Sequence, residues 1–354
     1  MRLMTSLGLA LLLGCASEPG ADEAANLDPL LVETPGPRTV VLISLGSARA
    51  DALSCYTDTA HWNAYIERQL RDSGAVGRQL QSYLRRLPEP QTPNICGLTE
   101  QGIRFQWALS HASSSLSSQV SIFAGMEPHR HRVVRRGYTV PSDVTLLPAR
   151  YHEAGWDTIA VVGSSELSAS SGLDRGFRRY VEPDSTQEGS PVLVSGPEIN
   201  RRVQTELAAT AQPDGDLLLF VHYADLRQPW LDPIQSESPV FEELRGLVQG
   251  TDYDYSGTNH GSAESLSLIR QLRRDGGLSF SESVQARGLY LSQAAWVDRQ
   301  VGLLLEDLES RGRLENALIV VVGDHGEALD DSADFPYAHG AEVDLHSIHV
   351  PLLV

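Results

Sequence analysis

An acid and an imidazole stand side by side where an apolar run ends: Leu318-Ile319-Val320-Val321-Val322-Gly323-Asp324-His325-Gly326-Glu327. Five aliphatic residues bounded by turn formers predict a fully buried strand, and ligands of open α/β sheets gather where such strands end. A carboxylate and an imidazole on one tight turn can reach a common divalent cation, and the flanking glycines let the backbone come close. Asp324 and His325 are therefore candidate metal ligands. The plainer alternative is an Asp that caps a helix beside a satisfied surface histidine.

These residues need a scaffold, and the chain writes one. Val40 to Leu45, Thr158 to Gly163, Leu217 to Tyr223 and Leu318 to Gly323 are apolar runs separated by long periodic segments. That order predicts an α/β fold in which the strands pair in parallel and helices cover both faces. Residues 286 to 312 place Leu289, Ala294, Val297, Val301, Leu304, Leu305 and Leu308 at helical spacing, end at Gly312 and lead into the Asp324 strand. Residues 231 to 283 are mixed in charge, rich in Ser and Gly, and read as an insertion over the site. No internal repeat is visible.

A second strand ends in a small-residue turn, Thr39-Val40-Val41-Leu42-Ile43-Ser44-Leu45-Gly46-Ser47 and on to Asp51. With it go Thr92-Pro93-Asn94, Gly102-Ile103-Arg104-Phe105, Gly125-Met126-Glu127-Pro128-His129-Arg130-His131, Gly172-Leu173-Asp174-Arg175-Gly176-Phe177, His222-Tyr223-Ala224-Asp225, His339-Gly340 and Val350-Pro351-Leu352-Leu353. From about residue 38 to the end, this series resembles, in order, the sulfatase branch of the alkaline phosphatase superfamily. The resemblance implies an alkaline phosphatase-like, mostly parallel central sheet with helices on both faces. Relatives usually continue into a smaller C-terminal subdomain, whereas this chain stops at Val354 inside what reads as a strand. That subdomain is expected to be missing, or the chain to be a fragment.

The resemblance also implies roles. Ser115, in Ser115-Leu116-Ser117-Ser118-Gln119, matches the nucleophile at a helix start, where free N–H groups and the dipole stabilise an anion. Composition alone would read Ser113 to Ser118 as caps and loop serines. Ser117 and Gln119 stand where the signal for oxidation to formylglycine has Pro or Ala and Arg or His, so an unmodified serine and phosphate esters are expected. Asp324 and His325 match metal ligands, with calcium the family's usual ion and zinc or manganese the alternatives. His339 matches the group that reaches the leaving-group oxygen, and His222 and Arg227 fall in the substrate-binding stretch. Relatives carry a metal-binding Asp where this chain has Gly46; Asp51 is a weak candidate to replace it, and Gly46→Asp is expected to restore the lost charge. His129 and His131 belong to a loop that packs more often than it catalyses, while Arg130 and Arg132 could add positive field. The rival reading is a pseudoenzyme that kept the fold as a binding or scaffold protein.

The formal net charge is −18, and all 28 basic residues are Arg. Without a basic stripe, nucleic acid is disfavoured as a partner, and a lysine that helps hold sulfate in many sulfatases has no counterpart here. Sulfate or phosphate esters of small molecules or glycans remain as substrates. Met1-Arg2 and the apolar stretch Leu7 to Leu13 form a short signal, and Leu12-Leu13-Gly14-Cys15 resembles a bacterial lipoprotein processing site. Residues 1 to 15 are then a signal with Cys15 lipidated, 16 to 37 a flexible linker, and 38 to 354 the catalytic domain, tethered to a membrane of the bacterial envelope. The alternative is an ordinary secretory signal. Cys55 and Cys96 could pair in an oxidising envelope, but two buried thiols are the expected state. Cys15→Ser should move the protein from the membrane to the soluble fraction, because the thiol is the acceptor for the lipid; unchanged fractionation would contradict the anchor.

Overall fold

The computed structural model describes residues 39–57, 90–183, 192–210, 213–227, 280–329, 339–340 and 343–354, all within one compact unit, Pro37–Val354. The signal, linker and most of the expected insertion over the site lie outside the described residues.

Six strands, β1 (Thr39–Leu45), β2 (Asp157–Val162), β3 (Arg179–Val181), β4 (Leu217–Tyr223), β5 (Ala317–Gly323) and β6 (Leu352–Leu353), make one sheet in the order β3-β2-β4-β1-β5-β6. Every neighbouring pair is parallel except β5 with β6. The pleat sorts side chains between two cores. Val41, Ile43 and Leu45 pack with Val297, Val301 and Leu304 of the helix Phe280–Ser310. Leu42, Ala160 and Phe220 face the other way, onto Leu116, Val120 and Phe123 of the helix Ser115–Ala124. With both faces covered, the central strands are apolar at most positions, which is why they read as long aliphatic runs.

β5 departs from its expected full burial. Leu318 is 48% exposed, because β6 pairs only with Val321 and Val322 and leaves the start of β5 uncovered. The long helix matches its sequence spacing and stops before Gly312, whose φ of 67° is left-handed. Its Asp298 accepts the amides of Asn94 and Ile95 at 3.1 and 2.7 Å, so Thr92-Pro93-Asn94 acts here as a docked helix start. Gly176 likewise serves packing. Its φ is +92°, and a Cβ there would meet the Ala149 nitrogen at 2.1 Å.

The expectation of two thiols is corrected: Cys55 and Cys96 form a disulfide with Cα atoms 5.6 Å apart. The Cys96 helix turn packs against the turn that carries Cys55, and the Cys55 amide points at Cys96 Sγ at 3.0 Å. Closing a loop of separation 41 removes unfolded-state entropy, so Cys96→Ser should cost about 2–4 kcal/mol of stability. Maleimide labelling checks the pairing: both cysteines should react only after reduction.

Candidate active site

Parallel register brings three turns to one row. Ser44 of β1 pairs with His222 of β4 and Val322 of β5, and Leu45 pairs with Tyr223 and Gly323. Gly46, the end of β4 and Asp324 are therefore neighbours, stitched by the Gly46 amide to Tyr223 O at 2.8 Å and the Asp324 amide to Leu45 O at 3.1 Å. The helix Ser115–Ala124 caps this row. Ser118 donates to the Asp324 carbonyl, Gln119 to Ser44 Oγ, and Ser117 to Val133 O at 2.6 Å. Ser114, the residue before the helix, makes no side-chain cap. The serines therefore dock the helix rather than cap it, and Ser115 is left facing the acid–imidazole turn.

Asp324 is fully buried. Its Oδ1 accepts the amides of Ser47 at 3.0 Å and His325 at 2.7 Å. Its Oδ2 has no hydrogen-bond partner among the described residues and lies 3.5 Å from His222 Nε2, too long for a good bond. Burial would raise this carboxyl, but His325, His222 and the Ser47 amide outweigh it and hold the group well below the usual carboxylate range. His325 is pulled down by burial, against the pull of Asp324. Its Nδ1 faces the Gly326 carbonyl at 2.7 Å, which assigns the proton there and leaves the Nε2 lone pair toward Ser115 Oγ at 3.1 Å. A backbone carbonyl behind an imidazole is the arrangement that orients metal-ligating histidines.

Among the described residues, no three or more His, Cys, Asp or Glu side chains form a ready-made metal cage. The donors nonetheless suit a cation: a buried carboxylate oxygen and a buried imidazole without partners, beside a second imidazole and a hydroxyl. Such atoms cost about 1–3 kcal/mol each when left unpaired, and coordination would satisfy them.

His339 extends the site. Its ring lies 4.7 Å from that of His325, its Nδ1 meets buried Glu327 Oε2 at 2.8 Å, and its Nε2 meets Arg227 NH2 at 3.2 Å. Since a guanidinium can only donate, His339 Nε2 is the acceptor and Nδ1 carries the proton. Arg227 also donates to Glu166 at 2.6 Å, so it is held in place rather than poised alone. Burial would raise the Glu166 carboxyl, but Arg227 overrides this and lowers it.

Two expectations change. Asp51 does not stand in for the missing ligand: Arg49 takes Oδ1 and Oδ2 at 2.8 Å, and Arg287 takes Oδ2 at 2.9 Å. At Gly46, an added Cβ would meet His222 Nε2 at 3.0 Å and Tyr223 O at 3.2 Å, so an Asp there needs these neighbours to give by a few tenths of an ångström. His131 packs as expected, its ring between Ser121 and the Val133 amide; His129 and Arg130 are exposed, and Arg132 pairs with Asp143 at 2.7 Å. Sequence reasoning gave no role to Glu327 or Tyr290. Glu327 follows the Asp-His-Gly turn in plain view. Tyr290, which donates to Ser47 O at 2.8 Å and accepts the Arg49 amide at 2.9 Å, carries no local signal.

The family profile described as Sulfatase matches residues 38–354. Comparison with curated protein sequences gave no match. Among solved structures, the chain is similar to the phosphonate monoester hydrolase of Agrobacterium radiobacter at 17% identity and a TM-score of 0.58, over 89% of this chain and 67% of that one. A protein solved with its substrate D-glucosamine-2-N,6-O-disulfate gives 16%, 0.59, 90% and 70%. The C-terminal periplasmic domain of EcEptC from Escherichia coli, in a zinc complex, gives 15%, 0.55, 90% and 73%. These likenesses establish the alkaline phosphatase-like α/β fold.

The buried Asp51 cluster yields a prediction. Burial would raise the Asp51 carboxyl, but Arg49 and Arg287 hold it far below the usual range. Its stabilisation is therefore full above the unfolded-state value of about 3.9 and is lost as the pH falls below that. Asp51→Asn should cost about 3–5 kcal/mol at neutral pH, the usual loss when one partner of a buried pair goes, and should flatten the loss of thermal stability on acidification below about pH 4. Thermal unfolding across pH checks both.

Proposed function

The chain belongs to the sulfatase family, and on that footing we propose that it is a metal-dependent hydrolase of sulfate or phosphate esters, held at the bacterial envelope through a lipid on Cys15. The observation that carries the enzymatic reading is Ser115 Oγ at 3.1 Å from His325 Nε2, at a helix start, beside a buried carboxylate oxygen that nothing among the described residues satisfies. The anchor rests on the sequence around Cys15; among the described residues no helix is long and apolar enough to cross a membrane.

Asp324, His325 and Ser115 would hold the cation, which when bound supplies Lewis acidity toward the ester oxygens and the serine hydroxyl. Ser115 Oγ, its hydroxyl proton given up to solvent beforehand, attacks phosphorus or sulfur as the alkoxide, and the bond to the leaving-group oxygen breaks. His339, its Nδ1–H held on Glu327, delivers from Nε2 the proton that this oxygen needs; Arg227 must then release Nε2 and turns its planar fork to the anion. In the second half a water attacks the seryl ester, the Ser115 oxygen leaves as the alkoxide with which the cycle began, and His339 Nε2, unprotonated as found here, accepts the water's proton. An unmodified serine favours phosphate esters, since a seryl phosphate is released by water more readily than a seryl sulfate.

Ser115→Ala should lower hydrolysis of aryl phosphate mono- and diesters by at least about 10³-fold, as removal of a nucleophile does. Glu327→Gln should lower kcat about 10–100-fold with little change in KM, because it only orients His339. Mass spectrometry of the Ser115 peptide should show plain serine; formylglycine there would turn the substrate preference to sulfate esters. Full activity in Ser115→Ala would refute the nucleophile, and a parent without turnover or bound cation would establish the pseudoenzyme.

A further inference from the structure

The sequence resemblance implies a carboxylate at position 46, yet the space next to Gly46 is occupied. The ring edge of His222 projects into it, with Nε2 3.0 Å and Cε1 3.4 Å from where a Cβ on residue 46 would stand. His222 is fully buried, and neither of its ring nitrogens has a hydrogen-bond partner among the described residues. A buried imidazole in that state is costly unless something else takes up its lone pair. The group it faces is Asp324 Oδ2, equally unpartnered, at 3.5 Å. Two ligand atoms about 2.0–2.1 Å from a tetrahedral centre stand roughly 3.3 Å apart, so this separation suits two donors of one cation better than a hydrogen bond. On the other side of the same carboxylate, His325 Nε2 stands 3.7 Å from Oδ1.

Resting on the metal-dependent reading above, we infer that His222 is itself a metal ligand, supplying from β4 a donor on the side of the site where Gly46, just past β1, offers none. The exchange is possible because the register pairs His222 with Ser44, two residues before Gly46. It also changes the ion. Replacing a carboxylate by an imidazole leaves two histidines and one aspartate, with the Ser115 hydroxyl alongside. That set suits zinc and similar transition ions and lacks the many oxygen ligands that calcium requires. Gly46 fits this arrangement: without a Cβ it leaves the ring its place, whereas any larger residue would press on Nε2 at 3.0 Å. The imidazoles must still close on the ion, since they form no finished cage as they stand.

The test uses the full chain, freed of metal by chelation and titrated calorimetrically with Zn²⁺, Co²⁺ and Ca²⁺. The parent should take up one Zn²⁺ or Co²⁺ per chain and bind Ca²⁺ far more weakly. His222→Ala should lose more than the roughly 10–100-fold in zinc affinity that removal of an outer-sphere partner costs. His222→Ala with Gly46→Asp should regain cation binding with a shift toward Ca²⁺. Because His222→Ala could fail to fold, histidine nitrogen NMR on the parent provides the second readout: zinc should move the His222 Nε2 resonance. If zinc binds, Asp324→Ala abolishes it, and neither His222→Ala nor the His222 resonance responds, His222 is no ligand while the metal-dependent reading stands. If the parent binds no cation at all, that reading falls and this inference with it.

Discussion

A carboxylate sealed in the protein interior sets the terms for everything around it. Asp324, just past β5, has no exposed surface, and an ionised carboxyl there costs several kcal/mol unless its surroundings replace the lost hydration. Two amides do so at Oδ1, and the surrounding structure can be read as the means of delivering them. The Ser47 amide arrives because Ser47 adopts a φ of 61°, a conformation that a non-glycine residue holds only when its neighbours over-determine it. Tyr290 holds that turn from the long helix, while Arg49 of the same turn is fixed by Asp51 and reaches the Glu327 carbonyl at 3.1 Å. Charge at Asp324, strain at Ser47 and the buried Arg–Asp cluster are thus one construction.

From this centre the polar groups run outward in one hydrogen-bonded chain. Glu327 orients His339, His339 accepts from Arg227, and Arg227 is anchored by Glu166. Each link fixes the tautomer or rotamer of the next, so that few groups are left to order when a substrate arrives. The two faces of the sheet divide the labour. One carries the apolar core under the helix Phe280–Ser310, and the other presents Ser44, His222 and the nucleophile-bearing helix. Preorganisation of this kind is possible because the site stands on adjacent parallel strands whose register is fixed by burial on both faces.

Much of this was legible in the sequence. Strands buried on both faces write themselves as long aliphatic runs, and the turn after the last of them displayed Asp324, His325 and Glu327 openly. The long helix announced itself through the spacing of Val297, Val301, Leu304 and Leu308. What stayed hidden depends on approach in space rather than on local pattern. Asp51 looked available until Arg287, 236 positions away, was seen to hold it. Cys55 and Cys96 gave no sign of the closeness of their backbones. The fate of Leu318 depended on how short its neighbouring strand is. Gly46 read as a loss because a sequence shows the residue missing from a position and not the ring that has moved in beside it.

The central claim is that Asp324 and the imidazoles around it bind a cation that serves Ser115. Its most direct test is anomalous diffraction from crystals of the protein grown with zinc, recorded on both sides of the zinc absorption edge. The account predicts one strong anomalous peak at coordination distance, about 2.0–2.2 Å, from Asp324 Oδ2 and His325 Nε2, with His222 Nε2 turned toward it. A map without a peak in this pocket, with Asp324 and His222 unchanged and zinc bound only elsewhere, would contradict it.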